Sequence, residues 1–142
     1  NCQLIWQTGD KDYDKYTHLR SDSCSLYRFI ERMDLAYSAA DIVISRAGAI
    51  AISEICFLSK ASILIPSPHV TDNHQLENAK YLEKNSACLI VKENQLKYKL
   101  LNNILELKDI EKKEKLGNQA HKLFTYNSSS SITNIILKDI NL

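Results

Sequence analysis

Short apolar runs alternate with stretches of helical composition along the first two-thirds of the chain. Gln3-Leu4-Ile5-Trp6-Gln7-Thr8 is apolar-rich and closed by Gly9-Asp10, the pattern of a buried strand that ends in a turn. Ser25-Leu26-Tyr27-Arg28-Phe29-Ile30 alternates polar and apolar residues and predicts a second strand. Met33 to Ala40 has helical composition, and after Asp41 the β-branched run Ile42-Val43-Ile44-Ser45 predicts a third strand. Arg46-Ala47-Gly48-Ala49 breaks that strand and opens a helix from about Ala49 to Leu58. Ser62-Ile63-Leu64-Ile65-Pro66 is the next strand, ended by Pro66 and Pro68. Thr71-Asp72-Asn73 can cap a helix through Leu82, Ala87-Cys88-Leu89-Ile90-Val91 supplies a further strand, and from Asn94 the pattern is helical to the end. Repeated strand and helix units with short loops predict an α/β fold, a Rossmann-like parallel sheet with helices on both faces.

Length and charge narrow the function classes. A chain of 142 residues holds one compact domain with a single core. Eighteen Lys and Arg against seventeen Asp and Glu leave the net charge near zero, and no basic stripe interleaved with aromatics is present, which argues against a nucleic-acid partner. The longest apolar stretch, Ala47 to Leu58, is interrupted by Ser53 and Glu54 and falls short of the roughly 20 residues that span a bilayer. Asn1 to Thr8 lacks the pattern of a signal peptide, and the missing initiator Met hints at a fragment. Cys2, Cys24, Cys56 and Cys88 are far apart with no metal-ligand spacing, so they read as small apolar residues in a reducing compartment, the cytoplasm by default. Ser128-Ser129-Ser130-Ser131 reads as a helix start, and the alternating charges of Lys108 to Lys115 as a solvated helix face.

Ligands of open α/β sheets bind beyond the carboxyl ends of the strands. That draws attention to the loops after Ile30, after Ser45 and after Pro66. The second contains Gly48, one of three glycines in the chain, where the backbone bends from strand to helix. Backbone N–H groups of Gly48, Ala49 and Ile50 would face an anion at such a helix start. Glu54 lies mid-helix among Ile50, Ile52, Ile55, Cys56, Phe57 and Leu58, where a carboxylate needs partners. It either faces solvent, pairs with Arg46, or accepts hydrogen bonds from the two hydroxyls of a ribose. The third loop, from Pro66 to Gln75, gathers polar side chains suited to sugar hydroxyls, although a surface loop is polar in any case. Asp10-x-Asp12-x-Asp14 superficially resembles a calcium loop, but Lys15 stands where Gly is needed and Ser21 where Glu is needed. No metal site and no cofactor are predicted.

Four linked motifs carry a resemblance. Phe29-Ile30-x-x-Met33, Ala40-Asp41-Ile42-Val43-Ile44-Ser45-Arg46-Ala47-Gly48-Ala49, Ser53-Glu54, and Pro66 followed by Asp72-Asn73-His74-Gln75-x-x-Asn78-Ala79 are similar to the C-terminal domain of the MurG glycosyltransferases, in the family's order from about Gln3 to Leu137. The resemblance implies the C-terminal half of a GT-B fold. It implies binding of UDP-N-acetylglucosamine and metal-independent, inverting transfer of N-acetylglucosamine to the undecaprenyl-linked muramyl pentapeptide of peptidoglycan synthesis. Carried over residue by residue, the Ile30 backbone would pair with the uracil edge, and Met33 would wall the base. Glu54 would hold the ribose; Gly48, Ala49 and Ile50 would face the diphosphate or nearby sugar; and His74 and Gln75 would contact the N-acetylglucosamine. Ser45, Arg46 and Asn78 would be supportive.

Two departures are visible: many members have Gln where His74 stands, and a Gly-Lys-Pro turn where Ser59-Lys60-Ala61 stands. The family's first strand and Gly-rich loop, its acceptor-binding N-terminal domain and its general base fall outside these residues, so no catalytic residue is assigned. The whole protein is expected on the inner face of the cell membrane as a peripheral enzyme. Two rival readings stay open, a free-standing donor-binding subunit of a two-subunit transferase and half of a UDP-N-acetylglucosamine 2-epimerase. The Phe-Ile-x-x-Met and Ser-Arg-Ala-Gly-Ala pair favours the transferase family over both.

Overall fold

The computed structural model describes residues 2–68 and 73–139. The chain forms two compact units, Asn1–Val43 and Ile44–Leu142. In the first, β1 (Leu4–Gln7) and β2 (Cys24–Tyr27) pair in parallel, with Leu4 opposite Cys24 and Gln7 opposite Tyr27. A parallel pair needs a crossover connection, here supplied by α1 (Asp10–Tyr16) and a 3-10 turn, Thr17–Leu19. Gly9 starts that crossover at φ 76°, a left-handed conformation that glycine adopts without strain. The ladder continues past both strands, since Thr8 N–H donates to Tyr27 O at 2.9 Å and Gly9 N–H to Arg28 O at 3.1 Å. Trp6 and Tyr16 bring their rings to 4.9 Å, while Leu26 is buried. The strand predicted through Ile30 ends at Tyr27. Beyond it the Ile30 N–H turns to the Gln7 side chain and leaves the backbone ladder.

The Asp10-x-Asp12-x-Asp14 run is helical, lying within α1. Asp14 accepts from Arg28 Nη2 at 2.6 Å, and the same guanidinium sits 4.3 Å from the centre of the Tyr13 ring. A second helix, α2 (Met33–Ala39), opens beside Arg32 and Asp34. That exposed pair bonds through two of the three guanidinium nitrogens, Nε at 2.9 Å and Nη2 at 2.6 Å, and the hydrogen bond from Arg32 holds the Asp34 carboxyl below its ordinary value.

The division between the units falls inside β3 (Ile42–Ser45). The second unit carries the sheet of order β3-β4-β5, with β4 (Ala61–Leu64) central and parallel to β5 (Leu89–Ile90). All four residues of β4 are buried, as expected of a central strand covered on both faces. Helix α3 (Ala49–Phe57) leads from β3 to β4, and α4 (His74–Lys84) leads on to β5. Three helices follow a 3-10 turn at Glu93–Gln95: α5 (Leu96–Glu106), α6 (Ile110–Lys122) and α7 (Ser128–Asp139). Ser128 starts α7, as the serine run predicts, and Asp109 caps α6 by accepting from Lys112 N–H at 3.2 Å. Along 108–115 only Lys113 is partly covered, which agrees with a solvated face. Ile55, Ile63, Leu64, Val91 and Leu107 are the large fully buried residues of this core.

Two helix ends explain features of the sequence. After α3, Lys60 N–H donates back to Ile55 O at 3.0 Å and Ser59 N–H to Cys56 O at 3.2 Å, with Ser59 held at φ 54°. This closing pair of bonds demands a left-handed residue, the conformation that glycine adopts without strain and serine does not. After α4, Ser86 at φ 55° and Ala87 repeat it, with Ala87 N–H bonded to Leu82 O at 2.9 Å. Ala87 is thereby engaged in ending α4, and β5 is limited to Leu89–Ile90, shorter than the predicted run.

Helix α6 packs on α3 and β4 through Gly117, where a Cβ would lie 2.2 Å from the Ser59 carbonyl oxygen. Cys56 and Cys88 are buried, Cys24 is half-buried and Cys2 is exposed. Burial, helped by Glu83 and Cys56, pushes the Cys88 thiol up to about 12. Among the described residues no helix is long and apolar enough to cross a membrane.

Candidate functional site

In the second unit the turn from β3 to α3 is braced from several sides. Ile65 N–H donates to Ser45 O at 2.8 Å, and the Ser45 hydroxyl donates to Arg46 O at 3.0 Å. Arg46 spreads its guanidinium between the Glu93 carboxylate, 2.5 Å from Nη2, and the Ile65 carbonyl, 3.3 Å from Nη1. Ala47 is fully buried, and its carbonyl accepts from Asn78 Nδ2 at 3.2 Å. Ser45, Arg46 and Asn78 all make hydrogen bonds within or onto this turn.

Gly48 follows as the N-cap of α3, at φ −72° and ψ 146°. Any residue adopts that conformation, and a Cβ built there would meet nothing within 4 Å. Neither backbone geometry nor internal packing demands glycine. The first bond of α3 runs from Ile52 N–H to Gly48 O, so the amides of Ala49 and Ile50 precede the helical ladder. Ala49 is exposed, and Ile50 is 78% exposed. An exposed helix start on a rigid turn has the positive dipole end and unladdered N–H groups that suit an anion.

Glu54 is half-buried on the boundary of α3, between exposed Ser53 and buried Ile55. His74 is the first residue of α4 and is exposed. Gln75, next to it, is half-buried, and its Oε1 accepts from Ser67 N–H at 2.9 Å, which ties the loop after β4 to the start of α4. The Gln75 side chain therefore keeps both NH2 hydrogens, and one lone pair of its oxygen, for a further partner. Asn73 occupies the N-cap of α4 at φ 52° without a side-chain capping bond. Thr71 and Asp72, also expected at this cap, lie outside the described residues.

In the first unit Ile30 and Met33 are both half-buried, and Met33 opens α2. The Ile30 N–H donates to Gln7 Oε1 at 2.7 Å. The loop from Arg28 to Arg32 is thus tied to the end of β1 by a side chain.

The sequence model of the glycosyltransferase family 28 C-terminal domain matches residues 1–134. The chain belongs to this family. Its relatives include a protein of Christiangramia forsetii, 38% identical over 140 residues, which cover 98% of this chain and 38% of that protein. Another, from Parabacteroides distasonis, is 40% identical over 147 residues, covering 99% of this chain and 39% of its own length. Both are named UDP-N-acetylglucosamine–N-acetylmuramyl-(pentapeptide) pyrophosphoryl-undecaprenol N-acetylglucosamine transferase. The crystal structure of Acinetobacter baumannii MurG superposes with a TM-score of 0.83 at 27% identity, over 96% of this chain and 41% of that one. The chain spans about two-fifths of the length of these proteins.

Within this family 28 domain, a cleft of about 430 Å³ opens in the second unit between α3, α4 and the segment from Leu123 to Ser128. Of the predicted residues it takes in Ala49 and Asn78, whereas Glu54, His74 and Gln75 are not among its lining residues. Gln7 and Glu93 are among the participants not singled out from sequence. Gln7 had a readable signal, a polar side chain at the carboxyl end of a strand. Glu93 had none, because its partner is far away in the chain.

Proposed function

We propose that this chain is the donor-binding, C-terminal domain of an inverting glycosyltransferase. It would hold UDP-N-acetylglucosamine for transfer to an undecaprenyl-linked muramyl pentapeptide, the step from lipid I to lipid II in peptidoglycan synthesis. Family membership and the printed names of the relatives support the substrate class. The observation that carries the reading is Gly48: a glycine that neither its φ nor its neighbours require, at an exposed helix start, is what close approach of a ligand calls for.

In this reading the Ile30 backbone pairs with the uracil edge and Met33 walls the base. Glu54 accepts the ribose hydroxyls, and the amides at Gly48, Ala49 and Ile50 face the diphosphate. The start of α3 would offset charge as it develops on departing UDP, without a metal ion. Gln75, with its oxygen bonded to Ser67, would donate from its NH2 to a sugar oxygen beside His74. The acceptor hydroxyl displaces UDP at the anomeric carbon with inversion, and its proton passes to a base that this chain does not supply. A second, acceptor-binding domain completes the enzyme, which works at the inner face of the cell membrane.

Competition calorimetry with UDP, ADP and GDP tests the donor assignment. UDP should bind best, with an affinity unmoved by EDTA, and equal affinities would remove the uracil reading. The purified chain should show no transfer when mixed with donor and lipid acceptor, since positioning and proton removal need groups from both domains.

A further inference from the structure

The Ile30 N–H, the donor that this reading gives to a uracil carbonyl, is already engaged. Gln7 Oε1 accepts from it at 2.7 Å, at the short end for an amide donor and a carbonyl acceptor. The backbone around Gln7 is fixed: Gln7 is the last residue of β1, paired with Tyr27, and the next two amides bond to Tyr27 O and Arg28 O. Its side chain is exposed, with room to turn about its own torsions. The group it offers is an amide carbonyl, the same kind of acceptor as the carbonyl of a pyrimidine dione. One N–H carries one hydrogen and makes one well-aligned bond at a time. We propose that Gln7 is a built-in competitor for the base: its carboxamide occupies the Ile30 N–H in the empty protein and rotates away when a uracil carbonyl takes its place.

The proposal rests on the assignment of uracil to the Ile30 backbone and adds to it a residue that sets affinity. Binding then exchanges one neutral hydrogen bond for another of the same type, and most of the base contact yields little net affinity. Removing the competitor should raise affinity, and strengthening it should lower affinity. A residue that merely propped up the loop would do neither: its loss would weaken binding or stability.

Uridine and UDP titrations on the parent chain, Gln7→Ala and Gln7→Glu, combined with amide NMR of the parent, decide the matter. Gln7→Ala should bind uridine about two- to tenfold more tightly, the worth of one neutral hydrogen bond. Gln7→Glu should bind it more weakly, because a carboxylate is the stronger acceptor for the same N–H. Uridine lacks the diphosphate and so removes repulsion by the new charge from the comparison. In the parent, ligand should move both the Ile30 backbone amide and the Gln7 side-chain NH2 resonances. If Ile30 responds while Gln7→Ala leaves affinity unchanged or lowers it, the competitor role is overturned and the uracil assignment stands. If UDP binds without moving the Ile30 amide, the uracil assignment falls and this proposal falls with it.

Discussion

Asn78, in the second turn of α4, donates its side-chain amide to the carbonyl oxygen of Ala47 at 3.2 Å, and so joins one helix to the turn that starts another. Ala47 is fully buried and immediately precedes Gly48, the N-cap of α3. With Arg46 bonded to Ile65 and Glu93, the turn is held by contacts from the loop after β4, from α4 and from the 3-10 turn at Glu93. A binding site assembled on backbone amides needs such bracing, because an amide cannot be aimed by its own rotamer.

Asn78→Ala should therefore lower stability by about 1–3 kcal/mol, the range for stranding a buried acceptor. UDP affinity measured on the folded fraction should fall as well. Asn78→Asp keeps the shape but replaces the donor with an acceptor, so it should be no better. A variant that melts like the parent would show that water replaces the amide and that the brace is dispensable.

Three positions test the glycine logic against one another. Gly48→Ala should change stability by less than about 1 kcal/mol, since its φ suits any residue and its Cβ meets nothing, so the entropy removed from the unfolded chain offsets alanine's poorer service as an N-cap. It should nevertheless lose about tenfold in UDP affinity, or about 1.4 kcal/mol. Gly117→Ala should destabilise by about 1–3 kcal/mol despite alanine's better helix propensity, because the new methyl meets the Ser59 carbonyl at 2.2 Å. Ser59→Gly should stabilise by roughly 0.5–1 kcal/mol by relieving a left-handed serine. Thermal melts and UDP titrations on the three variants separate packing from binding. Unchanged affinity in Gly48→Ala would remove the main support for the ligand assignment.

Periodicity revealed most elements because each strand has its own composition. Ile42-Val43-Ile44-Ser45 forms β3 at its predicted bounds, and the helices from Met33 and Ala49 start where they are expected. Two shortfalls lie where backbone amides are diverted to other partners, Ile30 to the Gln7 side chain and Ala87 to the end of α4, while the strand expected over Ser62–Pro66 is shifted to Ala61–Leu64. No local pattern encodes those diversions. Most candidate site residues were readable as chemical types at strand ends and helix starts, and Glu54 as a carboxylate within an apolar helix. Their bracing was not, since Arg46–Glu93 and Asn78–Ala47 join residues far apart in sequence.

The buried thiol of Cys88 should make stability fall with alkalinity. Its ordinary value of 9.0 is raised to about 12 in the folded state, chiefly by burial, so between those values the native chain holds a proton that the unfolded chain has lost. The thiol's contribution is fully present below about pH 9 and disappears as pH rises toward 12. Cys88→Ala should show a shallower decline over that window, by on the order of a few kcal/mol, in denaturant melts at pH 8 to 11. Parallel declines in the two proteins would mean that the native thiol ionises as readily as the unfolded one.

Glu54 offers the sharpest separation of binding from folding. It stands half-buried on α3, the helix that begins at Gly48. If the carboxylate accepts both ribose hydroxyls, Glu54→Ala should weaken UDP binding by roughly 1.5–3 kcal/mol, the usual worth of hydrogen bonds to a charged group, or about ten- to a hundredfold. The melting temperature should change little. A residue that serves only the fold gives the reverse, a lowered melting temperature with unchanged affinity per folded molecule. Arg46, the partner that the sequence offers it, is bonded to Glu93 and Ile65. Breaking a buried ion pair typically costs about 3–5 kcal/mol, but Glu54 is only half-buried, so even a structural role would show a smaller loss. 2′-Deoxy-UDP completes a cycle of ligand and protein changes. It should lose affinity for the parent chain and little more for Glu54→Ala, because the hydroxyl and the carboxylate are two ends of one interaction. An equal deoxy penalty in both proteins would mean that the ribose is held elsewhere, and the assignment of Glu54 would have to be withdrawn.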